Sequence, residues 1–178
     1  MPIEPSLNRR IALTCMALGV QAGQLGWDHY HGGVPAHHLL ANPDLPAVSN
    51  WWGLLLMPLL TWWTVGQVQR RRRLARVAPG FPPLAAFFCA LAYGALLSAL
   101  FASGSALVDY LFFGLLAVAL VVRLWHAEYL LGFVFGMLIV TGPVLPTIFG
   151  ALIALFSWLV QTTARMLWRK LRGQRGLV

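Results

Sequence analysis

Between Asp28 and Asn50 the sequence reads DHYHGGVPAHHLLANPDLPAVSN, gathering His29, His31, His37 and His38 of the chain's 5 histidines together with Asp28 and Asp44. A further acid, Asp109, is embedded in an otherwise apolar run. Imidazole nitrogens and carboxylate oxygens together form the donor set of a borderline divalent cation, and Zn²⁺ accepts both at about 2.0–2.2 Å. Asp28, His29, His31, His37 and Asp109 are therefore the candidate metal ligands, and Asp28, Asp109 and His38 the candidate proton-transfer groups. Asp28 and His31 are three apart, which on a last helical turn puts both on one face. The segment AHHLLA, ended by Asn42 and Pro43, is expected to form a short helix. Adjacent residues diverge there, so only one of His37 and His38 can join a shared site, and the other supports it or faces solvent.

Two other readings fit the same residues. Histidines outside apolar segments are often plain interfacial polar groups, and Asp109 can bond a serine or a tryptophan N–H within a bundle. A proton relay through the same groups is the third possibility. The spacing H-x-H-x5-H-H is not a specific metal motif. A bis-histidine haem site would need two imidazoles from facing helices at matched depth, and only His126 lies close to an expected helix core. His126 and Glu128 are read as interface residues beside Arg123, remote from the histidine stretch.

The elements that must hold these groups are membrane helices. Hydrophobic residues make up 59% of the chain and charged residues 10%, against about 25% charged in soluble domains. The formal charge of +8, from 13 Lys and Arg against 5 Asp and Glu, sits in short clusters between apolar runs. That distribution suits cytoplasmic loops and argues against a nucleic-acid partner. Cys15 and Cys89 both fall inside apolar runs, so no disulfide framework is indicated. Arg9 and Arg10 precede the apolar run 11–27, which is followed by GWDHYHGG rather than a small-x-small cleavage site. A retained signal anchor is expected.

The reading is an all-α fold, a polytopic transmembrane bundle of about six helices forming a single membrane domain over 1–178. The helices fall at about 11–27, 50–68, 81–102, 104–122, 126–141 and 147–165, with an external histidine-rich segment at 28–49 and a basic cytoplasmic tail at 166–178. Gly19 and Gly23 form a GxxxG pair that permits close helix approach, Trp51 and Trp52 mark an interface, and Pro58 is expected to kink its helix. The uncharged stretch from Tyr129 to Ala164 would measure about 54 Å as one helix, against about 30 Å of hydrocarbon, so it must break at TGPVLP. Six spans put every basic residue on one side, which makes that side, with both termini, cytoplasmic. The histidine stretch is then periplasmic, in a bacterial inner membrane. Asp109 falls about 7 Å below the outer end of its helix, where an acid normally faces the bundle interior.

Asp28-His29, His31-Gly32-Gly33 and His37-His38-Leu39-Leu40 resemble the Asp-His and His-x-Gly-x-x-His-x-Leu-Leu elements of bacterial membrane-bound metal-dependent hydrolases, with His31 and His37 one residue further apart than in that pattern. The resemblance implies Asp28, His31 and His37 as ligands of a hydrolytic metal, with Asp109 completing the set. A fainter resemblance, carried by Ser49 and Asp109, is to ceramidase-like membrane hydrolases, whose paired late histidines are absent here. The expectation is metal-assisted hydrolysis of a lipid or lipid-linked ester or amide, with Asp28 or Asp109 as general base and His38 as acid. The alternatives are a small metal-ion transporter and a non-enzymatic accessory subunit of a larger membrane complex. The bilayer itself is a partner in each case, and homo-oligomers are compatible with all.

Overall fold

The first helix, α1 (Pro5–Tyr30), is longer than the uncharged run 11–27 because its arginines are accommodated rather than excluded. Arg10 donates from Nε to the Trp62 carbonyl at 2.9 Å and lies over the Trp62 ring at 3.9 Å, so the charge is carried against α2. Gly66 leaves the room, since a Cβ there would meet Arg10 Nη2 at 2.6 Å. The computed structural model describes residues 5–38, 47–74 and 81–174.

After α1, Gly32 and Gly33 take φ of 121° and 96°, a conformation that a Cβ disfavours, and the chain turns back. Strand β1 (Ala36–His38) then pairs antiparallel with β2 (Ala47–Ser49) in the register Ala36 to Ser49, His37 to Val48 and His38 to Ala47. The short helix expected from AHHLLA is corrected here: its first residues are a strand, whose backbone partners arrive from Ala47–Ser49. Residues Leu39, Leu40, Asn42, Pro43 and Asp44 lie outside the described residues.

A 3-10 turn, Asn50–Trp52, leads into α2 (Gly53–Leu74), and the Trp51 N–H bonds Ser49 Oγ at 3.4 Å in the capping position. Next come α3 (Pro83–Ala102), opened by prolines that need no N–H partner, and α4 (Leu107–Val121). Last are α5 (Ala127–Thr141) and α6 (Val144–Gln174). The break between α5 and α6 falls at Gly142, whose φ is 66°, and Pro143. Pro146 is absorbed in the first turn of α6, where no helical N–H is lost. The basic tail expected as a separate segment instead prolongs α6 to Gln174.

Six α-helices and one two-stranded ribbon thus make up the described residues. The core forms where α2 meets α5, around Met57, Leu60, Leu131, Val134 and Leu138, with Phe87 and Phe135 packed against it. The closest approach is between α3 and α5. A Cβ at Gly94 would lie 2.6 Å from the Phe133 carbonyl oxygen, and Cβ atoms at Gly132 and Gly136 would collide with the carbonyls of Phe87 and Leu91. Gly132 and Gly136 are therefore the GxxxG pair that does the packing. Gly19 and Gly23 have no atom within 4 Å of a built Cβ, so the expectation placed on them is corrected.

Two helices, Pro83–Ala102 and Val144–Lys170, are long and apolar enough to cross a membrane, while α4 and α5 are shorter apolar helices. Only 22% and 17% of those two apolar windows are buried, whereas the core helix of a soluble protein would be mostly covered. Large apolar side chains such as Val121, Ile139 and Phe113 are 82%, 83% and 67% exposed, a surface that water does not favour.

Candidate functional site

The molecule has a basic end, with the start of α1, the end of α2 and the start of α5, and a histidine end, with the end of α1, the ribbon and the α5–α6 junction. At the histidine end α1 presents Gln21, Gln24 and Asp28 along one stripe, at positions i, i+3 and i+7. Gln24 Nε2 donates to the Leu138 carbonyl at 2.7 Å, which ties α1 to the last turns of α5. Gln21 is fully buried, packed where a Cβ at Gly53 would meet its Cδ at 2.6 Å and Pro143 Cγ at 2.7 Å. Neither Gln21 Oε1 nor Nε2 has a hydrogen-bond partner, and the same holds for Gln24 Oε1 and Asp28 Oδ2. Asn50 is buried against Gly142, completing a polar layer between α1, the 3-10 turn and the α5–α6 junction. Buried polar atoms are nearly always bonded, and those that side chains and backbone leave over take ordered water or a ligand as partner.

Asp28 is half-buried in the last turn of α1, and its carbonyl receives the His31 and Gly33 N–H groups at 3.2 and 2.9 Å. His31 follows the helix and stacks on Trp27 with ring centroids 3.8 Å apart. Its Nδ1 lies 2.8 Å from the Trp27 carbonyl. A carbonyl can only accept, so Nδ1 carries the hydrogen, and Nε2 is the ring nitrogen left for another partner, as in metal-ligating imidazoles oriented by a backbone carbonyl. His29 is exposed, edge-on to Tyr30 at 5.4 Å. His37 and His38 are on β1, and their side chains lie outside the described residues.

Asp109 differs from its expected setting. It stands exposed in the first turn of α4 rather than facing the interior, because α4 begins at Leu107 and the expected helix at 104. A carboxylate there faces the unpaired N–H groups and positive pole of the helix N-terminus, which is a sufficient reason for an acid at that position. Among the described residues no group of three or more His, Cys, Asp and Glu side chains is assembled for a metal ion.

Sequence reasoning missed a second polar site, at the basic end. Glu128 is 3% exposed and pairs with Arg71 of α2, so it is a buried ion-pair partner rather than an interface residue beside Arg123. His126 Nδ1 stands 3.7 Å from Glu128 Oε1. Burial lowers the His126 pKa below its ordinary 6.5, Arg71 and Arg123 lower it further, and Glu128 opposes them. Thr64 Oγ1 donates to the Ala127 carbonyl at 3.4 Å beside this pair. The only sequence signal was an acid at the start of an apolar helix, with four arginines to choose from at 70–73.

No protein-family model matches the chain, and neither a curated protein nor a solved structure matches it.

Proposed function

We propose that all six helices cross a bacterial inner membrane, with both termini cytoplasmic and the histidine end periplasmic. We further propose that the histidine end holds a divalent cation, zinc before others, to hydrolyse a lipid or lipid-linked substrate. The side assignment rests on the thirteen basic residues, since Arg9, Arg10, Arg70 to Arg73, Arg76, Arg123 and the cluster from Arg165 onward all belong to the basic end of a six-span chain. As one continuous helix, α6 is about 46 Å long, more than the hydrocarbon thickness of about 30 Å, so its arginine-bearing turns extend beyond the apolar layer.

The observation that carries the functional reading is an imidazole oriented by a backbone carbonyl, His31, three residues from a carboxylate that keeps a buried, unbonded oxygen, Asp28. Histidines from β1 would supply further donors. Zn²⁺ bound there would act as a Lewis acid and bring the pKa of water into the neutral range. The chain's own contribution would be to orient His31 through the Trp27 carbonyl and to accept a proton on Asp28. The test is metal content of detergent-purified protein by plasma mass spectrometry, wild type beside the His31→Ala/His37→Ala double variant. Near-stoichiometric zinc lost in the variant is expected. Metal-free protein in both samples, with the variant melting as wild type does, would overturn the reading.

Passage of the cation rather than hydrolysis has one observation in its favour. Thr14 Oγ1 and Thr61 Oγ1 are also buried without partners, deeper along the α1–α2 side, and a surface hydrolase has no use for them. Zinc-dependent dye quenching in proteoliposomes, absent in empty vesicles, would favour transport, and turnover of a lipid ester without flux would favour hydrolysis.

A further inference from the structure

On the far side of α5 from the polar layer, a cavity of about 460 Å³ opens between α3, α4, α5 and α6. Its wall is almost wholly apolar, with Cys89, Leu115, Val118, Leu130, Phe133 and Ile153 among its lining residues. The volume is within the range of about 300–1,000 Å³ typical of ligand cavities. The space is built rather than a chance gap, because α4 is fastened at both ends of it. Tyr93 Oη donates to the Leu111 carbonyl at 2.6 Å. Ser157 Oγ donates to the Ala119 carbonyl at 2.7 Å, and Gln161 Nε2 to the Val122 carbonyl at 2.8 Å. The first bond ties α4 to α3, and the other two tie its last turn to α6, where the Ala119 carbonyl is one that the helix end leaves without a helical partner. An empty apolar cavity forfeits dispersion contacts along its entire wall, and water gains too few polar partners there to fill it.

The mouth identifies the occupant. Phe81, Val122 and Leu124 line the cavity at the basic end, and the exposed Arg123 stands between the last two. Trp125 follows, with the Arg165 guanidinium 5.4 Å from its ring centroid, and Arg165 and Arg169 share a second groove with Trp125 and Thr162. An apolar cavity whose lining at the basic end includes both chain neighbours of an exposed arginine, with a tryptophan two residues on, matches an amphiphile bearing a negative headgroup. We propose that this cavity is a structural lipid site that takes one acyl chain of an anionic phospholipid, with the phosphate on Arg123. This rests on the membrane placement proposed above and is independent of the metal.

The test is native mass spectrometry of the full chain, delipidated in detergent and then incubated with equal amounts of phosphatidylglycerol and phosphatidylcholine. One phosphatidylglycerol should be retained per chain, at least tenfold over phosphatidylcholine. Arg123→Gln should reduce that preference to within twofold while leaving the melting temperature of the lipid-free protein unchanged. Leu115→Trp, which fills the cavity, should abolish retention of both lipids. Equal retention of the two lipids by the wild type, or undiminished retention by Leu115→Trp, would overturn the proposal. Release of the protein from membranes by alkaline carbonate would instead show that the membrane placement itself had failed.

Discussion

The two ends of the molecule treat buried polarity in opposite ways. At the basic end several charged and amide side chains are bonded between helices: Arg71 to Glu128, Arg10 to the Trp62 carbonyl, and Gln69 Nε2 to the Ser6 carbonyl at 2.6 Å. At the histidine end Gln21 has no partner on either amide atom, and Gln24 and Asp28 each keep an unbonded oxygen. A bonded network stabilises the fold that contains it, and an unbonded one costs stability unless a ligand completes it. The difference accords with an architectural role for one end and the recognition proposed for the other, and it implies that substitutions at the two ends should move stability in opposite directions.

The largest effect is expected from Arg71→Ala, which strands the Glu128 carboxylate in a site where its side chain is 4% exposed. A loss of about 3 kcal/mol is expected, the lower part of the range for a broken buried pair, because the Arg71 side chain is itself 37% exposed. Chemical denaturation in detergent would measure it, and replacing both partners by Arg71→Met with Glu128→Leu should recover most of the loss. The opposite sign is expected for Gln21→Leu, which removes two unbonded buried polar atoms and should raise stability by about 1–2 kcal/mol. A destabilised Gln21→Leu protein would mean that the amide is bonded after all, and the contrast between the ends would collapse. Asp28→Asn keeps the shape of the side chain, so stability should stay within about 0.5 kcal/mol while bound zinc falls, read by thermal melting beside metal analysis.

The smallest effect concerns pH. His126 has a folded-state pKa below its unfolded value of 6.5, so between the two the unfolded chain binds more protons than the folded one. Stability should therefore be complete above about pH 6.5 and decline as the pH falls toward the folded value. His126→Gln should flatten that part of the curve, and an unchanged slope in denaturation midpoints between pH 7.5 and 5 would remove His126 from the account.

The helical class and the number of helices were legible because uncharged runs and basic clusters are long-range patterns of composition, and the excess length from Tyr129 to Ala164 required a break somewhere. What was not legible depended on partners distant in sequence. AHH became a strand because Ala47–Ser49 lies beside it, overriding the local pattern of a short helix. Glu128 was read as interfacial because nothing in a run of four arginines says which one turns inward. Gly19-x-x-x-Gly23 and Gly132-x-x-x-Gly136 are the same pattern, and only the second faces another backbone. At the candidate site, the placement of Asp28 and His31 about one turn apart at the end of α1 was legible from their spacing, whereas the unbonded state of Gln21 appears only once Gly53 and Pro143 close over it.

Gly94, Gly132 and Gly136 lock α3 to α5 rather than to α4, its neighbour along the chain. The molecule therefore cannot reach its tightest packing in the order in which it is synthesised. While α5 is still in the ribosome, α3 and α4 are held by little more than the Tyr93 bond to Leu111 and the turn through Gly104. In the membrane placement proposed above, the Gly94 face of α3 meets lipid until the later helices arrive. A chain stopped near Val121 would thus expose an unpaired seam, and α5 acts as the clasp that covers it.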